Sequence, residues 1–248
     1  LRPNHGVDGA TLLAALGAAG VEVEPVEAAG VLRWTGGESP FGTEPFRTGR
    51  FVAQDPTALA AAEAVPCGPG AAVVDLCAAP GTKTTWLAGK VRPGGRVYAF
   101  DPDERRRLRI AENVARMQLG EVVRLVTRPE DLPPAEAVLA DVPCSNSGVL
   151  GRRVEVRRRI TAAAIEGMAE LQRKLLHRAL RLVLPGGHAV YSTCSIDREE
   201  NEAVVAAVLA DASLDGGFEV VRSELTLPLA GSRDGGYFAV IRRGRSGG

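Results

Sequence analysis

Residues 71–83 read AAVVDLCAAPGTK, and their reading decides the fold. AAVVDL at 71–76 is an uninterrupted β-type run. A turn of small residues follows, and TKTTWLAGKV at 82–91 then has helical character. A short apolar strand that passes through a tight turn into a helix opens a βαβ unit, whose strands lie parallel. The same beat repeats downstream. RVYAFD (96–101) is a second strand, followed by the charged helix DERRRLRIAENVARM (103–117). EVVRLV (121–126) and AEAVLAD (135–141) supply two more strands. The long helix TAAAIEGMAELQRKLLHRALRLVL (161–184) is expected to stop at Pro185-Gly186-Gly187, with HAVYST (188–193) the next strand. The predicted class is α/β, a doubly wound, mostly parallel sheet.

Upstream lies a smaller α/β piece. Leu12, Leu13, Leu16 and Val21 recur at helical spacing, and Gly20 is placed to end that helix. VEVEPV (21–26) and VLRW (31–34) are strand-like, and SPFGTEPFRTGRFVAQDP (39–56) reads as a linker rich in Gly, Pro and polar residues. The expected division is a small α/β subdomain over 1–48, a main domain over 49–243 and a flexible tail over 244–248. There is no internal repeat and no low-complexity tract.

Composition excludes several classes. The 248 residues are 45% hydrophobic and 24% charged, with mean hydropathy +0.01, ordinary for a globular protein. No run approaches the roughly 18 apolar residues of a membrane span. LRPNHGVDG lacks the basic start and apolar core of a signal peptide. Four cysteines without a C-x-x-C spacing make no disulfide scaffold, and His5, His177 and His188 show no metal spacing. The expectation is a cytoplasmic monomer with no metal and no membrane partner. Net charge is zero but uneven: residues 1–66 carry 4 basic and 8 acidic side chains, residues 67–160 carry 16 and 11, and residues 161–248 carry 10 and 11.

In open parallel sheets, ligands bind in the crevice beyond the carboxyl ends of the strands. The residues just past each strand are Cys77–Lys83, Asp101, Asp141–Cys144 and Cys194, all on one rim. The turn at Cys77–Lys83 either brings backbone N–H groups to a ligand at a helix start or is simply tight. It is no Walker A loop, because Thr82 separates Gly81 from Lys83, and it is no G-x-G-x-x-G. Asp101 can accept from ribose hydroxyls or cap the next helix. Cys144 lies in DVPCSNSG and Cys194 in VYSTCSIDREENE, each directly after an apolar strand. A lone cysteine is usually a small hydrophobe, but two at one rim beside Ser, Pro and Gly point to thiol chemistry. GRRVEVRRR (151–159) is either a phosphate-docking stretch or a solvated loop.

DLCAAPGTKT, DVPCSNSGVLGRR and YSTCSIDREENE, in this order, resemble the signature motifs of the RsmB (Fmu/Sun/Nop) family of RNA cytosine-C5 methyltransferases. LRPN with its helix and VEVEPV resembles the family's small RNA-binding subdomain, GRFVAQDPTA its V-Q-D-x-A-S segment, and DGGYFAVIRR its closing D-G-F-F strand. The resemblance covers most of the chain. It implies a class I S-adenosylmethionine methyltransferase fold, S-adenosylmethionine as cofactor, and RNA as partner, ribosomal RNA first and tRNA second. It makes Cys194 the nucleophile, Cys144 the residue that assists adduct breakdown, and Asp141 the contact to the cytosine amino group and N3. Cys77, Ala78, Ala79, Pro80, Gly81, Thr82 and Lys83 would cradle the methionine end of the cofactor, Asp101 its ribose, with Asp141 bordering it. Arg152, Arg153 and Arg157 would meet RNA.

The chain departs from the pattern at Thr82-Lys83 (usually Gly-Lys), at Asn146 (usually Gly), and at Val154-Glu155 and Arg158 (usually Pro-Asp and Trp). Three other readings compete. A DNA cytosine methyltransferase using Cys144 would open with an absent F-x-G-x-G loop. A silent RNA-binding protein would not need both cysteines, and a nucleotide-binding oxidoreductase lacks its glycine fingerprint.

Overall fold

The computed structural model describes residues 1–26, 30–215 and 217–245. The amino-terminal region runs β1 (Arg2–Pro3), α1 (Gly9–Ala18), β2 (Val21–Pro25), β3 (Leu32–Gly37), α2 (Glu44–Arg47), β4 (Phe51–Val52) and α3 (Pro56–Glu63). Asp8 caps α1 by accepting from the Thr11 N–H at 2.8 Å, and Gly20, at φ +77°, turns the chain out of it. Leu12 and Leu16, one turn apart, are fully buried against Val21, Leu32 and Phe51. β2 and β3 form an antiparallel hairpin, and β1 pairs antiparallel with β4.

The segment 39–56 is therefore not a bare linker. It holds a 3-10 turn at Pro40–Gly42, α2 and β4, because Pro40 and Pro45 preset helical φ at turn starts and Phe51 finds a core. Arg2 locks this region to the rest of the chain. It is 2% exposed, donating through Nε to Gln54 Oε1 (2.6 Å) and through Nη2 to Thr85 Oγ1 (2.8 Å) and the Thr82 carbonyl (3.1 Å). Its guanidinium stacks 5.3 Å over the Trp86 ring. Burial pushes its pKa down to about 10, against the pull of Glu63, so it remains a cation at neutral pH.

The main domain continues with β5 (Ala72–Asp75), α4 (Thr82–Lys90), β6 (Arg96–Ala99), α5 (Glu104–Arg116), β7 (Val123–Leu125), β8 (Ala135–Asp141), α6 (Ala162–Leu182), β9 (Val183–Thr193), α7 (Glu202–Leu209), β10 (Phe218–Thr226) and β11 (Gly236–Arg243). One seven-stranded sheet has the order β10-β11-β9-β8-β5-β6-β7. β5 to β9 run parallel, while β11 is antiparallel to β9 and β10. Both faces are covered, as the doubly wound reading requires. Leu176 and Leu180 of α6 and Val204 and Val208 of α7 pack on one face. Leu87 of α4, Ile110 and Val114 of α5 and Ala61 of α3 pack on the other.

Two details differ from the sequence reading. α6 ends at Leu182, and Pro185-Gly186-Gly187 lies inside β9 rather than between helix and strand. A Cβ on Gly187 would stand 2.5 Å from the Glu136 carbonyl, and the β8–β9 register shifts between Ala135 and Ala137. The glycine thus lets two backbones approach within the irregular stretch. Of the expected tail, Gly244 accepts from the Gly186 N–H (3.3 Å) and donates to the Gly217 carbonyl (3.0 Å), whereas 246–248 lie outside the described residues.

Candidate active site

The rim at the carboxyl ends of β5, β6, β8 and β9 gathers nearly every side chain singled out from the sequence. After β5, the loop from Cys77 to Ala79 is buried, and Ala78 N–H donates to the Phe100 carbonyl at 2.9 Å. Gly81, at φ +100°, delivers the chain into α4 in a conformation suited to glycine. Pro80 is exposed, and Thr82 and Lys83 are half-buried. Asp101, after β6, is fully buried and reaches across to this loop, accepting from Ala79 N–H at 3.2 Å and from Asp103 N–H at 3.1 Å. It does not cap α5. Asp103 does, accepting from the Arg105 and Arg106 N–H groups at 2.8 and 3.2 Å.

Carboxylates crowd the cradle. Asp75 is fully buried, with Oδ2 bonded by Thr84 Oγ1 at 2.7 Å and Oδ1 without a partner among the described residues. Burial pushes its carboxyl up to about 7, the Thr84 bond opposing and the negative charges of Asp141 and Asp101 adding. Burial, then the charges of Asp75, Asp141 and Asp101, also hold Cys77 firmly as a neutral thiol. Asp141, ending β8, accepts from Lys83 Nζ at 2.6 Å and from Ser192 Oγ at 2.6 Å. Burial opposes the Lys83 ammonium, but Asp141 overrides it and the net shift is upward. The cradle thus offers carboxylate acceptors, Asp141 held by Lys83 and Asp101 beside Arg106 Nη1 at 3.6 Å, with Asp75 behind them. With its small-residue floor, it fits a ligand that combines a sulfonium, an amino group and a ribose.

The two thiols meet beyond this cradle. Cys144 Sγ lies 3.0 Å from Cys194 Sγ. Contact with Cys194 and burial hold Cys144 protonated well into the basic range. Cys144 is 8% exposed, and Cys194 is the more open of the two. Their loops are zipped together: Gly148 N–H donates to the Cys194 carbonyl (3.0 Å), Ile196 N–H to Ser147 Oγ (3.0 Å), and the Ser147 and Ser195 hydroxyls lie 3.1 Å apart. A Cβ on Gly148 would sit 2.4 Å from the Gly235 carbonyl, so glycine permits this closure.

Three residues that sequence reasoning missed hold the loops from behind. Glu200, fully buried, accepts from Ser145 N–H (2.8 Å), from the Ser145 hydroxyl, and from Gln172 Nε2 (2.9 Å). Gln172 also donates to the Pro143 carbonyl at 2.9 Å. Asn201, likewise buried, accepts from Thr193 Oγ1 (2.6 Å) and donates to the Ser195 carbonyl (3.0 Å). The available signal was the pair Glu200-Asn201 in the acidic run after Cys194.

The arginines divide. Arg152 bonds both oxygens of Asp234, Nε to Oδ1 at 2.9 Å, and lies 3.4 Å from Asp55 Oδ2. It therefore fastens the segment before α3 to the turn before β11 rather than standing free. Arg153 pairs with Glu155 at 3.1 Å on the surface, and Arg157 is exposed. Beside Arg152 a cleft of about 560 Å³ runs between the amino-terminal region and the 228–234 turn, lined by Trp34, Leu229, Arg233 and Gly148 among others. Among the described residues no group of His, Cys, Asp and Glu could hold a metal, and no helix is long and apolar enough to cross a membrane.

The strand order, the helices on both faces and the ligand cradle after β5 define the class I methyltransferase fold. Residues 65–220 match the family model of the 16S rRNA methyltransferases RsmB/F, and the chain belongs to that family. It is 35% identical over 206 residues to the ribosomal RNA small subunit methyltransferase B of Vibrio cholerae, covering 80% of this chain and 47% of that protein. It is 36% identical to the 28S rRNA (cytosine-C(5))-methyltransferase of Mus musculus over 174 residues, 66% of this chain and 37% of that one. The chain thus spans about half the length of the curated relatives it matches, or less. Among solved structures, PH0851 superposes with a TM-score of 0.89 at 32% identity, over 97% of this chain and 58% of its own. NSun6 from Pyrococcus horikoshii, solved with SFG, superposes with a TM-score of 0.73 at 26% identity, over 84% and 57%.

Proposed function

We propose that this chain transfers a methyl group from S-adenosylmethionine to carbon 5 of a cytosine in ribosomal RNA, through a covalent adduct with Cys194. The observation that carries this reading is the pair of thiols at 3.0 Å beside the Lys83–Asp141 ion pair. Carbon 5 of cytosine is a poor nucleophile until a thiolate adds at carbon 6, which leaves an enamine-like ring. Cysteine suits this because its thiolate both attacks and departs readily. When bound, S-adenosylmethionine supplies an electrophilic methyl group.

The residues divide the remaining work. Cys194 forms the bond to carbon 6, while Cys144, held protonated, stays out of the attack and assists the later breakdown. Asp141 borders the base and the cofactor cradle, and Lys83 fixes its carboxylate. Asp101 and the Cys77–Lys83 loop hold the ribose and methionine ends of the cofactor. Transfer of the carbon 5 proton to water then lets the carbon–sulfur bond break, its electron pair returning to sulfur as the Cys194 thiolate. The target base must leave its stack to reach this rim. The cleft at Trp34 and Arg233, with exposed Arg157, offers an aromatic face and positive charge for the adjoining RNA. A reducing cytoplasm keeps the two neighbouring cysteines as thiols.

The test is methyl transfer from labelled S-adenosylmethionine to unmodified ribosomal RNA and, separately, to tRNA, with nucleoside analysis. Label in 5-methylcytosine of ribosomal RNA is expected. Label only in tRNA changes the substrate class, and label in another nucleoside overturns the reaction.

A further inference from the structure

Asn146 sits beside the thiol pair in a backbone conformation that few side chains adopt. Its φ is +64° and ψ +28°, the left-handed region where asparagine is tolerated better than most other non-glycine residues. Its Nδ2 donates to the Cys144 carbonyl at 2.8 Å, and its Oδ1 contacts Cys194 Sγ at 3.0 Å. The first bond fixes the sense of the amide, because a carbonyl oxygen can accept only from the NH₂ end. Oδ1 therefore faces Cys194, and an amide oxygen only accepts. Cys194 must be the donor in that contact.

A thiol carries one proton. With the Cys194 proton directed at Oδ1, the 3.0 Å sulfur–sulfur contact takes its hydrogen from Cys144. The resting order is Cys144 S–H to Cys194 sulfur, and Cys194 S–H to Asn146 Oδ1. A thiolate at Cys194, the reactive form, would keep the Cys144 S–H as a donor but would face the lone pairs of Oδ1 at 3.0 Å, so the amide oxygen is the contact that opposes it.

Building on the reading of Cys194 as nucleophile, we propose that Asn146 restrains that nucleophile in the free protein, its amide oxygen holding Cys194 as a thiol until the RNA base enters. The carboxamide touches the reacting sulfur directly. It also ties that sulfur to the backbone of the Cys144 loop.

The test needs neither RNA nor methyl donor. The full chain is treated with iodoacetamide at neutral pH, and modification of the Cys194 peptide is followed by mass spectrometry. Asn146→Gly removes the amide at a position whose φ suits glycine. Cys194 should alkylate about fivefold faster in this variant, the worth of one ordinary hydrogen bond. Asn146→Asp keeps an acceptor facing Cys194 but cannot donate to the Cys144 carbonyl, and Cys194 should react no faster than in the wild type. Equal rates in wild type and Asn146→Gly overturn the proposal. So does equal acceleration in both variants, which would mean that the side chain acts only through the Cys144 carbonyl. Failure of the nucleophile reading is distinguishable, because Cys194→Ala would then still methylate RNA while the alkylation order stood.

Discussion

The loop after β5 and the loops after β8 and β9 meet at one rim, yet they are held by different means. The loop after β5 is fixed mainly through its backbone. Its own backbone turns and Gly81 close it, Asp101 reaches over from the next strand to the Ala79 N–H, and Arg2, Arg106 and Asn113 each tie one of its carbonyls. The thiol-side loops are fixed by side chains drawn from elsewhere in the chain: Glu200, Gln172 and Asn201 lie behind them, buried and bonded on several sides. A loop whose turns close through its own backbone and whose carbonyls are tied by separate side chains loses one bond when one of them is substituted. A loop held by a network fails when one member of that network is removed.

The largest effect should therefore come from Glu200→Ala. It orphans the half-buried Ser145 N–H and loosens the buried Gln172, which should cost about 3 kcal/mol of stability and leave cofactor affinity little changed. Denaturant unfolding and calorimetric titration with S-adenosylmethionine measure the two; equal losses in both would erase the contrast between the halves. Gly148→Ala should come next, at about 2 kcal/mol, because its Cβ must push the Gly235 carbonyl or the Cys194 backbone aside. Methyl transfer should fall with it, as the sulfur moves.

On the cofactor side the signature is pH. The Asp75 carboxyl is pushed up to about 7 in the fold from 3.8, so the folded chain binds more protons than the unfolded one between those values. Asp75 thus destabilises the protein progressively as pH rises through that window. Unfolding at pH 5 and pH 8 should show a smaller loss in Asp75→Asn than in the wild type; an identical loss refutes it. The smallest effect belongs to Arg157→Ala. Its exposed guanidinium should leave stability within about 0.5 kcal/mol and reduce the salt dependence of RNA binding by roughly one ion. Arg152→Ala should instead lower stability, since it breaks the contact with Asp234 and Asp55.

The same contrast explains what the sequence made legible. The loop after β5 and both cysteines could be placed at one rim because each directly follows an apolar strand, and a parallel sheet sends all such positions there. Asp101 was placed correctly at that rim, but its bond to Ala79 could not be read. Glu200 was only one residue of the run quoted after Cys194 and received no role, because nothing local tells that α6 and the Cys144 loop enclose it. Arg152 looked like part of an arginine-rich surface, because its partners Asp55 and Asp234 lie about 80 or more positions away. The segment at 39–56 looked like a linker because the strand partner of β4, β1, lies at the start of the chain. Long-range pairing, rather than weak local signal, set each limit.

The central claim is that the two thiols have separate roles, and covalent trapping on RNA tests it most directly. Wild type, Cys144→Ala and Cys194→Ala are each incubated with S-adenosylmethionine and unmodified ribosomal RNA, and protein–RNA adducts are resolved under denaturing conditions. Cys144→Ala should accumulate an adduct whose crosslinked peptide contains Cys194, and Cys194→Ala should give neither adduct nor 5-methylcytosine. An adduct in Cys194→Ala, with none in Cys144→Ala, would contradict the account and exchange the roles of the two residues.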